Sequence, residues 1–266
     1  MDAVSFPQST GEAQTMRMTD NTILITGGTS GIGRALAEAF HDRGNRVIVT
    51  GRRQAMLDEI VSERPQITGL QLDLNNPGSV NGAAAVVRQR FPDLDVLIAN
   101  AGISRTEEMN NDRWDGSDAE AVVQTNIVGV LRAVAAFLPT LKLQSSATIM
   151  ATGSALAFLP RADFPAYCAS KAFLHSWLIS LRHQLRNTSV EVLELSPPYV
   201  QTEITGAAQL TDPRAMPLPA YVKEVMAMLS KGQHPRGELV LERDHPRRWA
   251  ERDGTFDRLF QTMNPA

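Results

Sequence analysis

Seven short runs rich in Val, Ile, Leu and Thr recur from Asn21 onward, with longer stretches of helical periodicity between them. The runs are TILIT (22–26), RVIVT (46–50), TGLQL (68–72), DVLIA (95–99), ATIMAT (147–152), VEVLEL (190–195) and GELVLE (237–242). Most are continuously apolar and do not alternate, which is the signature of parallel strands buried on both faces. Between them, Ile32, Leu36 and Phe40 repeat at i, i+4 and i+8. Asn76-Pro77 supplies an N-cap followed by proline at the first helical position. Alternation of this kind predicts an α/β fold with a doubly wound, parallel, seven-stranded sheet.

No linker divides the pattern, so residues 21–266 are expected to form one domain. Residues 1–20 are polar, with Gly and Pro, and lack the basic start and apolar core of a secretory signal. They are expected to be a flexible extension without a function of their own. Residues 203–220 hold Thr, Gly and three prolines. The segment leaves the carboxyl end of a strand, where ligands bind in open α/β sheets, and so predicts a substrate lid.

Among the 266 residues, Lys and Arg total 26 against 29 for Asp and Glu, a net charge of -3. That balance gives no electrostatic reason to expect nucleic acid or an anionic membrane as partner. No apolar run approaches the roughly 20 residues of a membrane span. The single cysteine, Cys168, excludes an internal disulfide and favours a reducing, cytoplasmic setting. On a helix its side chain points about 100° away from that of its neighbour Tyr167, which predicts a buried packing role. The five histidines lack metal-ligand spacing. No metal is expected, and His175 and His183 read as surface or interface residues. Arg247, Arg248 and Arg252 alternate with Glu251 and Asp253 and read as a solvated face.

The first run leads directly into Thr26-Gly27-Gly28-Thr29-Ser30-Gly31-Ile32-Gly33 and then a helix. Glycines there let the backbone approach a diphosphate, and the helix start offers unpaired N–H groups. Gly27, Thr29, Ser30, Gly31, Ile32 and Gly33 are the candidate contacts. The spacing departs from G-x-G-x-x-G, because Leu36 occupies the last glycine position. It nearly matches a P-loop, but Arg34-Ala35 replaces the Lys and hydroxyl residue that Mg-nucleotide chemistry needs. A tight strand-to-helix turn without a ligand remains open on these residues alone. The second run ends at Thr50-Gly51-Arg52-Arg53, with no acid to favour the ribose of NAD. Arginine is suited to a 2′-phosphate, so Arg52, helped by Arg53, favours NADP(H) over NAD(H).

Tyr167-Cys168-Ala169-Ser170-Lys171 opens a strongly helical segment that puts Tyr167 and Lys171 on one face. A lysine ammonium beside a phenol favours the phenolate and makes the tyrosine a usable acid or base.

With this pair in place, the chain from about Thr22 to Thr202 resembles the short-chain dehydrogenase/reductase family, whose members carry a Rossmann-like single domain. The motifs occur in family order: TGGTSGIG (26–33), Asp73-Leu74, Asn100-Ala101-Gly102, Asn126, Ser154 and YCASK (167–171). Ser154 stands thirteen residues before Tyr167, the usual family separation. The resemblance implies a catalytic set of Asn126, Ser154, Tyr167 and Lys171. Tyr167 would protonate the carbonyl oxygen, Ser154 would hold that oxygen, and Lys171 would bind the nicotinamide ribose and lower the tyrosine's pKa. Asn126 would anchor, through its backbone, a water that resupplies the proton. Asp73 and Leu74 would contact adenine. Asn100, Ala101 and Gly102 would form the floor under the cofactor, although Asn100 could equally stabilise the central sheet. Pro197, Val200 and Thr202 would meet the nicotinamide end. Pro197-Pro198 replaces the usual Pro-Gly, which removes an N–H there. Residues 243–264 replace the Gly-rich ending of tetrameric members and read as an added helix. With Pro-Pro, that ending resembles the branch named after teichoic-acid D-alanylation operons.

The implied activity is carbonyl reductase or alcohol dehydrogenase chemistry: hydride transfer between NADP(H) and a ketone, aldehyde or secondary alcohol. Ala155, Leu156, Phe158, Phe164, Tyr199, Leu210 and Met216 are the expected substrate neighbours. Their apolar character favours a hydrophobic substrate unless Arg105 or Arg161 points inward. A non-catalytic NADP(H) sensor or scaffold on the same fold is the alternative, and epimerase or dehydratase chemistry fits the chain's length less well. The helix after Tyr167 carries Leu174, Leu178, Leu181 and Leu185 on one stripe, with Phe173 and Trp177 beside it. That excess of apolar surface predicts a homodimer, or a tetramer.

Overall fold

In the computed structural model, which describes residues 16–265, seven strands form one parallel sheet. They are β1 (Thr22–Thr26), β2 (Arg46–Gly51), β3 (Thr68–Gln71), β4 (Val96–Ala99), β5 (Ala147–Thr152), β6 (Val190–Ser196) and β7 (Glu238–Val240). Their spatial order is β3-β2-β1-β4-β5-β6-β7. The chain's direction of winding reverses between β1 and β4, and the crevice beyond the carboxyl ends of these strands is where such sheets bind ligands. Every residue of β1, β4 and β5 is buried, which is why those runs are uninterruptedly apolar.

The helices are α1 (Gly31–His41), α2 (Gln54–Glu63), α3 (Pro77–Arg90), α4 (Ser117–Val123), α5 (Gly129–Leu141), α6 (Pro165–Leu185), α7 (Leu218–Lys231), α8 (His245–Arg248) and α9 (Phe256–Met263). Strand side chains alternate between two layers. Ile23, Ile25, Val47 and Val49 face Leu36 and Phe40 of α1, Leu57 of α2 and Val225 of α7. Leu24, Ile48 and Leu97 face Val87 of α3, Phe137 of α5 and Leu174 and Leu178 of α6. The Asn76 side chain caps α3, accepting from the N–H groups of Gly78 at 2.9 Å and Ser79 at 3.2 Å.

A π-turn (Gln124–Val128) joins α4 to α5, so helix runs unbroken through 117–141. Contrary to the expectation that no segment is so apolar, this stretch is long and apolar enough by composition to cross a bilayer. Here it is a core helix, packed against α3, α6, β4 and β5.

Three further expectations need correction. The C-terminal segment is two helices, because the chain turns at Gly254 with φ of 64°. Arg247 and Arg248 are not a solvated face. Arg247 donates to Asp244, which is itself buried, at 2.8 Å. The Arg248 guanidinium makes two bonds to Glu238, at 2.6 and 2.9 Å, and stacks on Phe158 and Trp249 at 4.6 and 4.3 Å. A planar cation can serve aromatic faces and a carboxylate at once. In the N-terminal extension, residues 1–15 lie outside the described residues, but residues 16 and 17 of its last five are tied to the domain. Met16 is buried in the core and its N–H donates to Glu191 at 3.1 Å, while Arg17 pairs with Asp95 at 2.6 Å.

The lid is pinned at its base. Val200 bridges Met216, the Gln201 N–H donates to the Met216 carbonyl at 2.9 Å, and the Met216 N–H donates to the Tyr199 carbonyl at 2.8 Å. Met216 therefore turns inward to the main core and away from the substrate side. Gln209 is buried beneath the lid, donating to the Val200 carbonyl at 2.6 Å and accepting from the Thr205 N–H at 3.0 Å.

Candidate active site

The glycine turn meets the ends of three strands. Gly27 and Gly31 have φ of 65° and 52°, a region that costs side-chain-bearing residues energy. A Cβ on Gly27 would lie 2.8 Å from the Ala101 Cα, and one on Gly33 would collide with the Gly27 carbonyl and the Asn100 amide. Ser30 precedes α1 in extended conformation without capping it, and no acidic residue occupies the first turn. The N–H groups of that turn are thus left for an anion. Thr202, at the lid's base, approaches the same turn: a Cβ on Gly31 would be 3.5 Å from its side chain.

Asn100 does stabilise the central sheet, as its second reading anticipated. Its amide donates to the carbonyls of Thr26 and Gly27, both at 3.3 Å, and its Oδ1 accepts from the Thr152 hydroxyl at 3.1 Å. Thr26 Oγ1 accepts from the N–H groups of Asn100 and Ala101 at 3.0 and 3.1 Å.

At the end of β2, Arg52 and Arg53 are exposed, and neither guanidinium meets a carboxylate among the described residues. Arg34 is not available in this way, being held by Glu38, Glu59 and Glu63. A Cβ on Gly51 would lie 2.9 Å from the Thr29 Cγ2, so an acid is sterically disfavoured there. Asp73 accepts from the Asn75 N–H at 3.0 Å. The Leu74 side chain is buried with Val80, Ala83 and Ala133, and its carbonyl accepts from Arg132 at 3.1 Å. Pro197 accepts from the Ala155 N–H at 3.0 Å and so ties β6 to the segment after Ser154.

The reacting end gathers Asn126, Ser154, Tyr167 and Lys171. Tyr167 and Lys171 share a face of α6, with the Lys171 Nζ 5.6 Å from the phenol ring centroid. Nζ donates to the Thr152 carbonyl at 2.7 Å. Burial draws Lys171 down to about 8, against the opposing charge of Glu194. Burial pushes the Tyr167 phenol up to about 12, opposed by its hydrogen bond to Ser154. The lowering expected from Lys171 is not seen: desolvation dominates, and only the bond to Ser154 opposes it. Ser154 also accepts from the Leu156 N–H at 3.1 Å. Asn126 lies in the π-turn, where the helical ladder is interrupted. Its side chain is fully used: it donates to the Ile103 carbonyl at 2.9 Å and Ser170 Oγ at 3.0 Å, and accepts from the Ile103 N–H at 2.8 Å. A Cβ on Gly102 would be 3.2 Å from Asn126 Oδ1 and 3.6 Å from Lys171 Nζ, so the floor at this point is bare backbone.

Around this centre, Ala155 is buried and Leu156, Phe158 and Phe164 are half-buried. Tyr199, Ile204 and Leu210 expose apolar surface along the lid, as do Met109 and Trp114 on the loop after β4. Arg161 is tied to Asp163 at 2.6 Å, and Arg105 lies 3.5 Å from Asp118. A cavity of about 490 Å³ lined by Glu107, Glu108, Asn111 and Ala162 opens beside the start of α6, but neither Ser154 nor Tyr167 lines it. Cys168 is buried, as expected, and burial pushes its thiol up.

Two residues that sequence spacing did not single out support the set. Buried Glu107 accepts from the Ala166 N–H at 2.9 Å and so fixes the first turn of α6 beside Tyr167. His175, read as a surface or interface residue, is instead bonded at 2.7 Å to Glu194 on β6. Neither contact has a local sequence signal, since both join distant segments.

A parallel sheet with a glycine turn at its switch point, and a Ser-Tyr-Lys group nearby, defines a nucleotide-binding oxidoreductase architecture. The chain belongs to the short-chain dehydrogenase family: the family model "short chain dehydrogenase" matches residues 21–212. It is 38% identical over 259 residues to the uncharacterized oxidoreductase DltE of Bacillus subtilis (strain 168), covering 94% of this chain and 98% of that protein. This agrees with the resemblance to the D-alanylation-operon branch. In fold it is similar to a short chain dehydrogenase/reductase from Burkholderia phymatum in complex with NAD, at a TM-score of 0.77 and 22% identity, covering 95% of this chain and 98% of that one. It is also similar to a short chain dehydrogenase from Burkholderia cenocepacia J2315 in complex with NADP, at 0.78 and 24%, covering 93% and 99%. The protein is an oxidoreductase of this family.

Gly33→Ala should cost about 1–3 kcal/mol through the overpacked turn and weaken nucleotide binding more than tenfold. Thermal melting and nucleotide titration check this; unchanged binding would exclude the turn as the diphosphate site.

Proposed function

We propose that this oxidoreductase reduces hydrophobic ketones or aldehydes with NADPH. The observation that carries the proposal is geometric: the Tyr167 phenol is bonded to Ser154, and the Lys171 Nζ, seated on the Thr152 carbonyl, lies 5.6 Å from its ring. Such a phenol is an acid held ready for a carbonyl oxygen that is becoming an alkoxide. Ser154 donates to the same oxygen and fixes it beside the phenol. The π-turn at Asn126 interrupts the helical ladder, and a backbone carbonyl there would anchor the water that returns a proton by way of Lys171. A sensor or scaffold gives no account of why all four groups are kept together.

The residues fit a nicotinamide dinucleotide. The glycine turn and the start of α1 would hold the diphosphate; Asp73 and the Leu74 backbone would meet the adenine. Asn100, Ala101 and Gly102 lie beneath the cofactor's path, and Lys171 suits its ribose hydroxyls. Pro197, Val200 and Thr202 stand at the nicotinamide end. When bound, the cofactor supplies the hydride. Similar solved structures hold NAD in one case and NADP in another. The choice for this chain therefore rests on Arg52 and Arg53, which meet no carboxylate among the described residues, and on the crowding at Gly51, which together favour a 2′-phosphate.

The exposed apolar lid and the pairing of Arg161 with Asp163 support a hydrophobic substrate. On α6 Phe173 is 39% exposed, with half-buried Trp177 one turn on, and a second copy of the chain is the proposed cover for this face. The buried, unreactive thiol suits a cytoplasmic location.

In titrations with NADPH and NADH, Arg52→Ala should lose at least tenfold in NADPH affinity and leave NADH little changed; equal affinities in the wild type would remove the NADP assignment. Tyr167→Phe should abolish carbonyl reduction while retaining cofactor binding, and persistent turnover would show that another group is the acid. Light scattering at micromolar concentration should give at least twice the 29.1 kDa chain mass, with a monomer excluding the paired α6 face.

A further inference from the structure

Tyr167, Lys171 and His175 stand at i, i+4 and i+8 on α6 and form one polar stripe. His175 lies beyond the reacting centre, and its Nδ1 is 2.7 Å from Oε2 of Glu194. Glu194 is 0% exposed, in the middle of β6, between Ala151 of β5 and Glu238 of β7. A carboxylate so placed persists only with partners. Its second oxygen, Oε1, accepts from the Ser196 hydroxyl at 3.3 Å.

The same carboxylate reaches the lysine's anchor point. A Cβ on Gly153 would be 2.6 Å from Glu194 Oε1, so the carboxylate occupies the space a side chain would need there. The preceding carbonyl, that of Thr152, receives the Lys171 ammonium at 2.7 Å. Ammonium and carboxylate thus adjoin one backbone step, Thr152-Gly153. Glu194 is the charge that opposes the desolvation of Lys171.

The Glu194 charge also acts on Arg182, and the charges nearby have further partners. Arg182 of α6 donates to the Val192 carbonyl at 2.9 Å, Glu191 of β6 accepts from the Met16 N–H at 3.1 Å, and Glu238 of β7 is held by Arg248 of α8. Arg236 acts on Glu238 and stacks on Trp249. Phe158 covers the imidazole edge-on, with ring centroids 5.0 Å apart.

We propose that Glu194, oriented by His175, is a positioning residue of the acid–base apparatus: it supplies the counter-charge that holds the Lys171 ammonium beneath Tyr167. The proposal rests on Tyr167 and Lys171 acting as the proton-transfer pair. Two readouts separate its failure from theirs. The chain has four lysines, Lys142, Lys171, Lys223 and Lys231. The Lys171 signal can therefore be followed by NMR in ¹³C-lysine-labelled protein and assigned by its loss in Lys171→Arg. In the wild type its midpoint should lie near the value of about 8 set by burial, and kcat/KM for carbonyl reduction should fall as pH rises through it. Glu194→Gln should move both midpoint and alkaline limb down by roughly one pH unit. A shift of that size lowers the rate about fivefold at pH 8 and leaves it within about twofold at pH 6. His175→Gln, which keeps a donor to the carboxylate, should retain the wild-type profile. Glu194→Met removes the same charge and serves if the Gln variant does not fold. An unmoved Lys171 midpoint, or a rate loss equal at every pH, would overturn the proposal. A midpoint that moves in a protein without turnover would uphold the charge pairing and overturn the reductase function.

Discussion

One amide, that of Asn100, ties together the carboxyl ends of the three central strands. It donates to the carbonyls of Thr26, at the end of β1, and Gly27, and its Oδ1 accepts from the Thr152 hydroxyl at the end of β5. Strand ends have outrun their ladder partners, so the polar groups there need bonds from elsewhere. The glycine turn depends on the first contact, and the Thr152 carbonyl that seats Lys171 adjoins the second. The glycine turn and the strand end that seats Lys171 are thus fixed to one another through a single side chain. Displacing it would disturb both ends together.

Burial acts on the two titrating groups in opposite senses and toward one result. It raises the Tyr167 phenol and lowers the Lys171 ammonium, in each case favouring the neutral form. The buried carboxylate on β6 opposes the second of these shifts, and the sheet accommodates it because residue 153 has no side chain.

Much of this was legible in the sequence. Strands buried on both faces announce themselves as continuous apolar runs, and β1 and β5 match their expected bounds to the residue. Tyr167 and Lys171 are recognisable because both lie on one helix, where spacing alone sets the face. The residues that escaped notice act across long separations. Glu194 reads as an ordinary polar interruption of VEVLEL, because its partner His175 comes from the preceding helix. Met216 sits in a proline-rich loop and looks like lid, yet a single parallel bridge to Val200 turns it into the core. Arg248 looks solvated beside its charged neighbours, and only the aromatic rings brought up by the fold make it a buried contact.

The tail has a consequence for how this protein can diverge. Asn264, just after α9, accepts from the Ala162 N–H at 2.7 Å and donates to the Pro160 carbonyl at 3.2 Å, while Arg248 grips Phe158. The wall between Ser154 and Tyr167 is therefore shaped from about a hundred residues downstream, by a tail that carries none of the four proposed catalytic groups. On the proposed function, drift in that tail would remodel which molecules are admitted before it touched the proton-transfer pair, so that selectivity and reactivity would be inherited on separable stretches of one chain.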